Sequence, residues 1–430
     1  METMPAGSPR WRMVAVAAPE THPPRFARRP STPAQLATIL VTDGEQRSTL
    51  ATVRSLGRAG HRVLVCANRL GSLAGRSRYA DQSFVVPNVL KDIAVFADSV
   101  ASIARDSRCD LVLPMTDPST VALLPPHEAD DGANDPAGYR LPVSSAGSYD
   151  RASDKARLMR LARETGVPVP EGIELAARDV DAAESFADAV GWPIVIKPSR
   201  SVVRRGDRLL RTSVRIVAGP EALASAVAEV PDEAFPLLIQ RRVEGPGLGV
   251  FLLAVRGEVV AWFAHRRIRE KPPTGGVSVY RESVEVRPDL VEHTRTLVEH
   301  LGWTGVAMVE FKEESATGTP YLMEINARFW GSLQLAVDSG VDFPRLLVDA
   351  LLTGESGPVP SYRTGVRSRW FWGDVDHLLW MLRASGATRR MYALPSRLSA
   401  LGRFIVPWRP GDHWEVFRLS DLSPFFGESV

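Results

Sequence analysis

Two short apolar runs, LATILVT (36–42) and HRVLVCAN (61–68), flank a segment with a different period. Each run is dominated by Val, Leu and Ile, as in a strand covered on both faces of a parallel sheet. Between them, DGEQRSTLATVRSLGRAG sets Leu50, Val53 and Leu56 on one helical face, and Gly60 stands where a helix would stop. Strand, helix and strand joined by short links make a right-handed parallel unit. The pattern continues through SFVVPN, a helix over 91–107 and the strand DLVLPM (110–115), so residues 35–125 are expected to form an open α/β domain. The first run is followed by Asp43-Gly44-Glu45 and not by G-x-G-x-x-G, which argues against a nicotinamide cofactor.

At 430 residues the chain predicts two to four structural units. Its 52 basic and 50 acidic residues nearly cancel, which argues against a dedicated nucleic-acid binder. Two cysteines, Cys66 and Cys109, supply neither a disulfide framework nor a four-thiolate zinc site. Every apolar run falls well short of the ~20 residues that cross a bilayer, and a cytoplasmic location is the default expectation. Residues 1–34 hold seven prolines and five arginines without helical or strand period, and read as a disordered extension.

Beyond a polar loop at 126–139, a helix is expected over 149–165, with Asp150 or Ser153 as its cap. A helix over 180–190 precedes PIVIK (193–197), an apolar strand ending in lysine. Strand patterns recur at 209–217, 236–243, 249–255 and 258–264, and a helix covers 288–301. GVAMVEFK (305–312) and YLMEIN (321–326) read as two strands joined by a hairpin-like loop, with helices at 331–338 and 343–353 beyond. From 356 onward Trp370, Trp372, Trp380, Trp408 and Trp414 crowd the chain, and a packed accessory segment is the expectation.

Glu310 interrupts a run otherwise fit for a core strand. Strand alternation puts Leu322, Glu324 and Asn326 on one face and Met323 with Ile325 on the other. If the two strands pair, two carboxylates and an amide oxygen converge in a half-buried place, where like charges repel unless a cation offsets them. Oxygen ligands without His or Cys suit a hard cation such as magnesium beside phosphate, with manganese as the alternative. Taken singly, such carboxylates are more often strand ends in water, and Lys155 or Lys197 more often a snorkelling surface charge. Arg328 follows directly, with a planar fork suited to phosphate or carboxylate.

The order of these elements resembles the ATP-grasp superfamily: SDK, a helix ending in GVPVP, PIVIKPS, LLIQRRVEG, VEF and then LMEINAR. The carboxylate–amine ligase and carbamoyl-phosphate-synthase-like branches are the most similar. The resemblance covers residues 36–355 and is strongest between 150 and 340. It implies an α/β N-terminal domain over 35–125, a two-lobed ATP-grasp region of α+β lobes over 126–355, and an appended C-terminal segment over 356–430. It implies that Lys155 and Lys197 hold ATP phosphates, that Gln240 faces the adenine amino group, and that the Val243 backbone binds the ring. It further implies Glu310, Glu324 and Asn326 as magnesium ligands and Arg328 on the transferred phosphate. The segment 264–276, with His265, Arg266, Arg267, Arg269 and Gly275-Gly276, lies where the family has a loop near the phosphates.

Two departures stand out. Gly247 occupies the place of the usual ribose-binding acid, leaving Glu244 as a substitute, and the stretch after PIVIK, PSRSVVRRGDR, is rich in arginine where glycine is usual. The implied reaction is ATP-dependent joining of a small-molecule carboxylate to an amine through an acyl phosphate, by an enzyme that can be a homo-oligomer. Bicarbonate or carbamate phosphorylation and an inactive ATP-binding protein are the alternatives.

Overall fold

The computed structural model describes residues 36–124, 139–142, 145–273, 276–354, 361–391, 394–405 and 411–428. The expected extension at 1–34 and nearly all of the 126–139 loop lie outside these residues.

The first domain comprises β1 (Thr38–Val41), α1 (Arg47–Arg58), β2 (Arg62–Ala67), β3 (Gln82–Val85), α2 (Ile93–Asp106), β4 (Leu111–Leu113) and α3 (Asp117–Leu123). Its four strands are parallel in the order β3-β2-β1-β4. The order reverses between β1 and β4, and the carboxyl ends of these strands form the crevice where open α/β sheets bind ligands. Leu50, Val53 and Leu56 are buried on the inner face of α1, and Gly60 takes the left-handed φ of +95° that turns the chain into β2.

Where one helix is expected over 149–165, the chain makes two: α4 (Ala146–Ser153) and α5 (Lys155–Glu164). The break lies at Asp154, whose carboxylate caps α5 by accepting from the Arg157 N–H at 3.1 Å, while Ser145 caps α4. Neither Asp150 nor Ser153 is the cap. The break makes Lys155 the first residue of α5.

A small lobe follows: β5 (Gly172–Leu175), α6 (Val180–Val190), β6 (Ile194–Pro198), β7 (Val202–Arg205), β8 (Arg208–Arg211), β9 (Arg215–Val217), α7 (Pro220–Ala228) and β10 (Leu237–Arg241). The expected single strand at 209–217 is two strands in different sheets. β9 joins the sheet β5-β10-β6-β9, whereas β8 pairs only with β7 in a hairpin turned at Gly206 (φ +60°). That hairpin is the arginine-rich stretch after PIVIK. Its turn docks on the first domain, the Asp207 carbonyl accepting from Ile93 N–H at 3.0 Å.

The large lobe carries β11 (Gly247–Val255), β12 (Glu258–Lys271), β13 (Val277–Val284), α8 (Pro288–Leu301), β14 (Gly305–Glu313), β15 (Pro320–Asn326), α9 (Leu333–Ser339) and α10 (Phe343–Thr353). The last part adds β16 (Arg367–Arg369), α11 (Phe371–Arg383), α12 (Gly386–Met391), α13 (Arg397–Ile405), β17 (Asp412–Trp414) and α14 (Ser423–Glu428). One sheet runs β15-β14-β11-β12-β13-β16-β17, so the C-terminal segment supplies two of its seven strands.

The expected phosphate-side loop at 264–276 is not a loop through most of its length. Residues 264–271 continue β12 in antiparallel register with β13, each residue except Ile268 having a partner on that strand. The Gly275 half of the glycine pair lies outside the described residues.

Candidate active site

β14 and β15 pair antiparallel with Glu310 directly opposite Glu324, and the register then shifts so that Phe311 faces Leu322. The extra residue is Met323. A bulge of this kind breaks period-two alternation, so the face assignment expected for YLMEIN is corrected. Leu322 and Ile325 both lie in the core with Phe311, while Met323 lies on the crevice side with its sulfur 3.5 Å from Lys197 Nζ. Glu324 and Asn326 stay on the crevice face, joined by an amide-to-carboxylate hydrogen bond of 3.1 Å.

The small lobe presents Lys197 and Gln240 to the same crevice. On β6 and β10, Lys197 pairs with Leu238 and Gln240 with Val195, so these residues share one face. Their neighbours Ile196, Leu237 and Ile239 point the other way, into the core beneath α6 and α7. Gln240 is 1% exposed, yet neither its amide oxygen nor its amide nitrogen has a hydrogen-bond partner. A buried primary amide with both ends unmet is costly, and it fits a ligand edge offering one donor and one acceptor, as adenine does.

Lys155, at the start of α5, reaches Ser201 Oγ at 2.8 Å and Glu324 Oε2 at 3.2 Å. Arg328 is gripped from both sides: Nε donates to Asp117 Oδ2 at 2.8 Å and Nη2 to Asn326 Oδ1 at 3.0 Å. Asp117 stands in the first turn of α3, at the carboxyl end of β4, so the first domain orients the arginine of the large lobe. Arg267 crosses from β12 to place Nη2 3.0 Å from Glu310 Oε1, with Nη1 on Glu270 Oε1 at 2.9 Å. It passes over Gly247, where a Cβ would sit 3.4 Å from its Nη1. A guanidinium therefore lies over the position where the resemblance implies a ribose-binding acid.

The electrostatics follow from burial. Burial pushes the Lys197 ammonium down to about 8, against the pull of Glu324 and with the help of Lys155. Burial, reinforced by the Glu324 carboxylate, raises Glu310 despite Arg267. Burial also resists ionisation of Glu324, but Lys155, Asn326 and Lys197 outweigh it and hold that carboxyl below the usual range. The two facing carboxylates are therefore unequal.

Six of the expected site residues come together here: Lys155, Lys197, Glu310, Glu324, Asn326 and Arg328. Gln240 lines the same face. Val243 is buried just past the last ladder pair, Arg241–Ile194. The Glu244 side chain is exposed and paired with Arg242 at 3.3 Å, outside the buried cluster. Of the basic set on β12, only Arg267 reaches a carboxylate of the pair. Arg266 is held by Glu282, Arg269 by Asp374, and His265 by Ser332 Oγ at 2.8 Å. Burial, then Arg281 and Arg267, keep the His265 imidazole far below its usual range and hence neutral. Ser201, Met323 and Asp117 were not singled out as site residues by the motifs, whereas Arg267 belongs to the basic segment expected near the phosphates. Of the three, Asp117 had a usable signal, its place at the carboxyl end of a parallel strand.

Two carboxylates and an amide oxygen are an incomplete all-oxygen set. Among the described residues no cluster of three His, Cys, Asp or Glu side chains forms a cage. A site of this kind leaves positions for phosphate oxygens and water, which is how magnesium is ordinarily held, so the residues present fit that ion.

Residues 154–263 match the family described as carbamoyl-phosphate synthase L chain, ATP binding domain, and residues 233–373 match ATP-grasp in the biosynthetic pathway with Ter operon. The carbamoyl phosphate synthase large chain of Rubrobacter xylanophilus is 27% identical over 168 residues, 38% of this chain and 15% of that protein. The curated relatives are much longer, and this chain spans 15% to 24% of their length. Among solved structures, the biotin carboxylase domain of the Hydrogenobacter thermophilus 2-oxoglutarate carboxylase superposes with a TM-score of 0.60 at 17% identity. That match covers 77% of this chain and 74% of that one. An L-amino acid ligase from Bacillus licheniformis gives 0.57 at 18% identity, over 75% of this chain and 78% of that one. At these identities the likeness is one of fold. The two models overlap at 233–263 and together span residues 154–373, so this chain carries an ATP-grasp region and has carbamoyl-phosphate-synthase-like relatives.

Proposed function

We propose that the protein is an ATP-dependent ligase that activates a small-molecule carboxylate as an acyl phosphate and passes the acyl group to an amine. The observation that carries this reading is the pairing of Glu310 with Glu324 inside a ring of Lys155, Lys197, Asn326 and Arg328. Such a ring concentrates fixed positive charge around two acceptor-only groups, an arrangement suited to phosphates and a hard cation and to little else.

In this reading Gln240 hydrogen-bonds the adenine edge and the Val243 backbone lies along the ring. Lys155 and Lys197 hold the phosphate chain. Glu310, Glu324 and Asn326 hold magnesium, which neutralises charge on the phosphate oxygens when bound. The substrate carboxylate oxygen attacks the γ-phosphorus, the bond to the β,γ-bridging oxygen breaks, and ADP leaves. The amine nitrogen then attacks the acyl carbon, phosphate departs, and the amine proton passes to water. Arg328, held in place by Asp117, supplies the planar donor pair for the transferring phosphoryl oxygens. Catalysis of this type rests on position and electrostatics, because the protein forms no covalent bond.

The test is ADP release with ATP and magnesium over a carboxylate library containing bicarbonate, with hydroxylamine present to trap acyl phosphates. A hydroxamate formed by the wild type and lost in Lys197→Ala supports carboxylate activation and identifies the acid. ADP release that needs bicarbonate alone transfers the reading to bicarbonate phosphorylation. ATP binding with no turnover on any acid overturns the ligase reading.

A further inference from the structure

From His377 to Gly411 the sequence contains six arginines and neither Asp nor Glu, in a chain that elsewhere balances its charges closely. The stretch begins in α11, runs through α12 and includes all of α13. α13 packs on α11, with Ala400 buried and Phe404 lying under the Arg369 guanidinium, 4.5 Å from it. The Arg403 carbonyl accepts from Arg269 at 3.1 Å, which ties the end of the helix to the sheet.

With that side docked, the opposite side of α13 is apolar. Leu398, Leu401 and Ile405 are 82%, 40% and 60% exposed. Their spacing of three and four residues puts them in one stripe. Arg397 and Arg403 are exposed on the same helix, and Leu379 and Arg383 are exposed at the end of α11 next to it. A solvated helix gains nothing from three large aliphatic groups in water, and a patch of this kind marks a contact surface. Aliphatic side chains flanked by arginines, with the exposed Asp376 of α11 already paired to Lys271, fit the boundary between acyl chains and anionic headgroups. A nucleic acid would be met by aromatic stacking and phosphate-directed cations and leaves an aliphatic stripe without a partner.

We infer that the α11–α13 face is a peripheral docking surface for a membrane bearing anionic lipids, the α13 stripe entering the headgroup region and the arginines meeting lipid phosphate and carboxylate groups. No helix among the described residues is long and apolar enough to cross a membrane, so the contact lies along the surface. One short helix and a handful of arginines give reversible, salt-sensitive binding and not permanent anchorage. The nucleotide crevice is built from other elements, so attachment leaves its residues in place.

The test is co-sedimentation of the full chain with vesicles of phosphatidylcholine alone and of phosphatidylcholine with phosphatidylserine, at low and high salt. The expected result is binding at least about tenfold stronger to the anionic vesicles, largely lost at high salt. Leu398→Ser/Leu401→Ser/Ile405→Ser and Arg383→Glu/Arg403→Glu should each abolish it, with thermal unfolding and ATP binding in solution unchanged. Failure of the wild type to bind anionic vesicles overturns the inference, as does binding that survives the triple serine variant. A concentration-dependent dimer abolished by the triple variant, without vesicle binding, assigns the face to a second copy of the chain. Oligonucleotide binding that survives the triple variant, again without vesicle binding, assigns it to nucleic acid.

Discussion

Glu310 and Glu324 face each other across neighbouring antiparallel strands, and each is held by a different cation, Glu310 by Arg267 at 3.0 Å and Glu324 by Lys155 at 3.2 Å. The two cations come from different places, β12 of the large lobe and the first turn of α5. Each carboxylate is thereby neutralised independently, which lets them stand together in a buried place. Glu324→Gln removes one anionic oxygen donor and the Lys155 ion pair together. ATP turnover should fall at least about 100-fold, with a higher magnesium requirement, measured by coupled ADP release across a magnesium titration.

Lys197 gives the site a pH dependence of definite sign. Its ammonium titrates near 8 in the ligand-free protein because burial disfavours the charge. Phosphate binds the charged form, so ATP affinity is complete below that pH and falls by up to about tenfold per unit above it. ATP binding at pH 9 should therefore take up a proton, detected by calorimetry in buffers of different ionisation enthalpy. Lys197→Arg should remove the dependence. For the same reason the ligand-free protein should gain stability as pH rises from about 8 toward the ordinary lysine range, since the unfolded chain keeps its proton longer.

The bulge at Met323 predicts opposite outcomes at adjacent positions. Leu322 is fully buried against Phe311, so Leu322→Ala should cost about 2–5 kcal/mol in chemical denaturation. Met323→Ala should cost less than about 1 kcal/mol and should instead alter ATP binding through Lys197. Strict alternation predicts the reverse.

The C-terminal segment is tied back to the first domain by Arg54 and Asp421. Arg54 is 1% exposed, and Nε donates to Asp421 Oδ2 at 2.8 Å, which also accepts from Ser77 Oγ at 2.7 Å. Asp421→Ala strands a buried guanidinium and should destabilise the protein by about 3–5 kcal/mol in denaturant unfolding.

Much of this arrangement is local chemistry and is written in the sequence. The parallel domain follows from apolar runs alternating with helical period, and Lys155, Lys197, Glu310, Glu324, Asn326 and Arg328 are recognisable from their motifs and order. What the sequence could not set was decided by contacts between distant segments. Period-two alternation holds only while both strands advance in step, and the packing of Leu322 and Ile325 on one core side inserts a residue at Met323. The basic run at 264–271 became a strand because β13 offered it a ladder, and the sheet then brought its Arg267 within reach of Glu310 on β14. Asp117 came to Arg328 across more than two hundred residues, since charge pairing depends on distance in space and leaves no period along the chain.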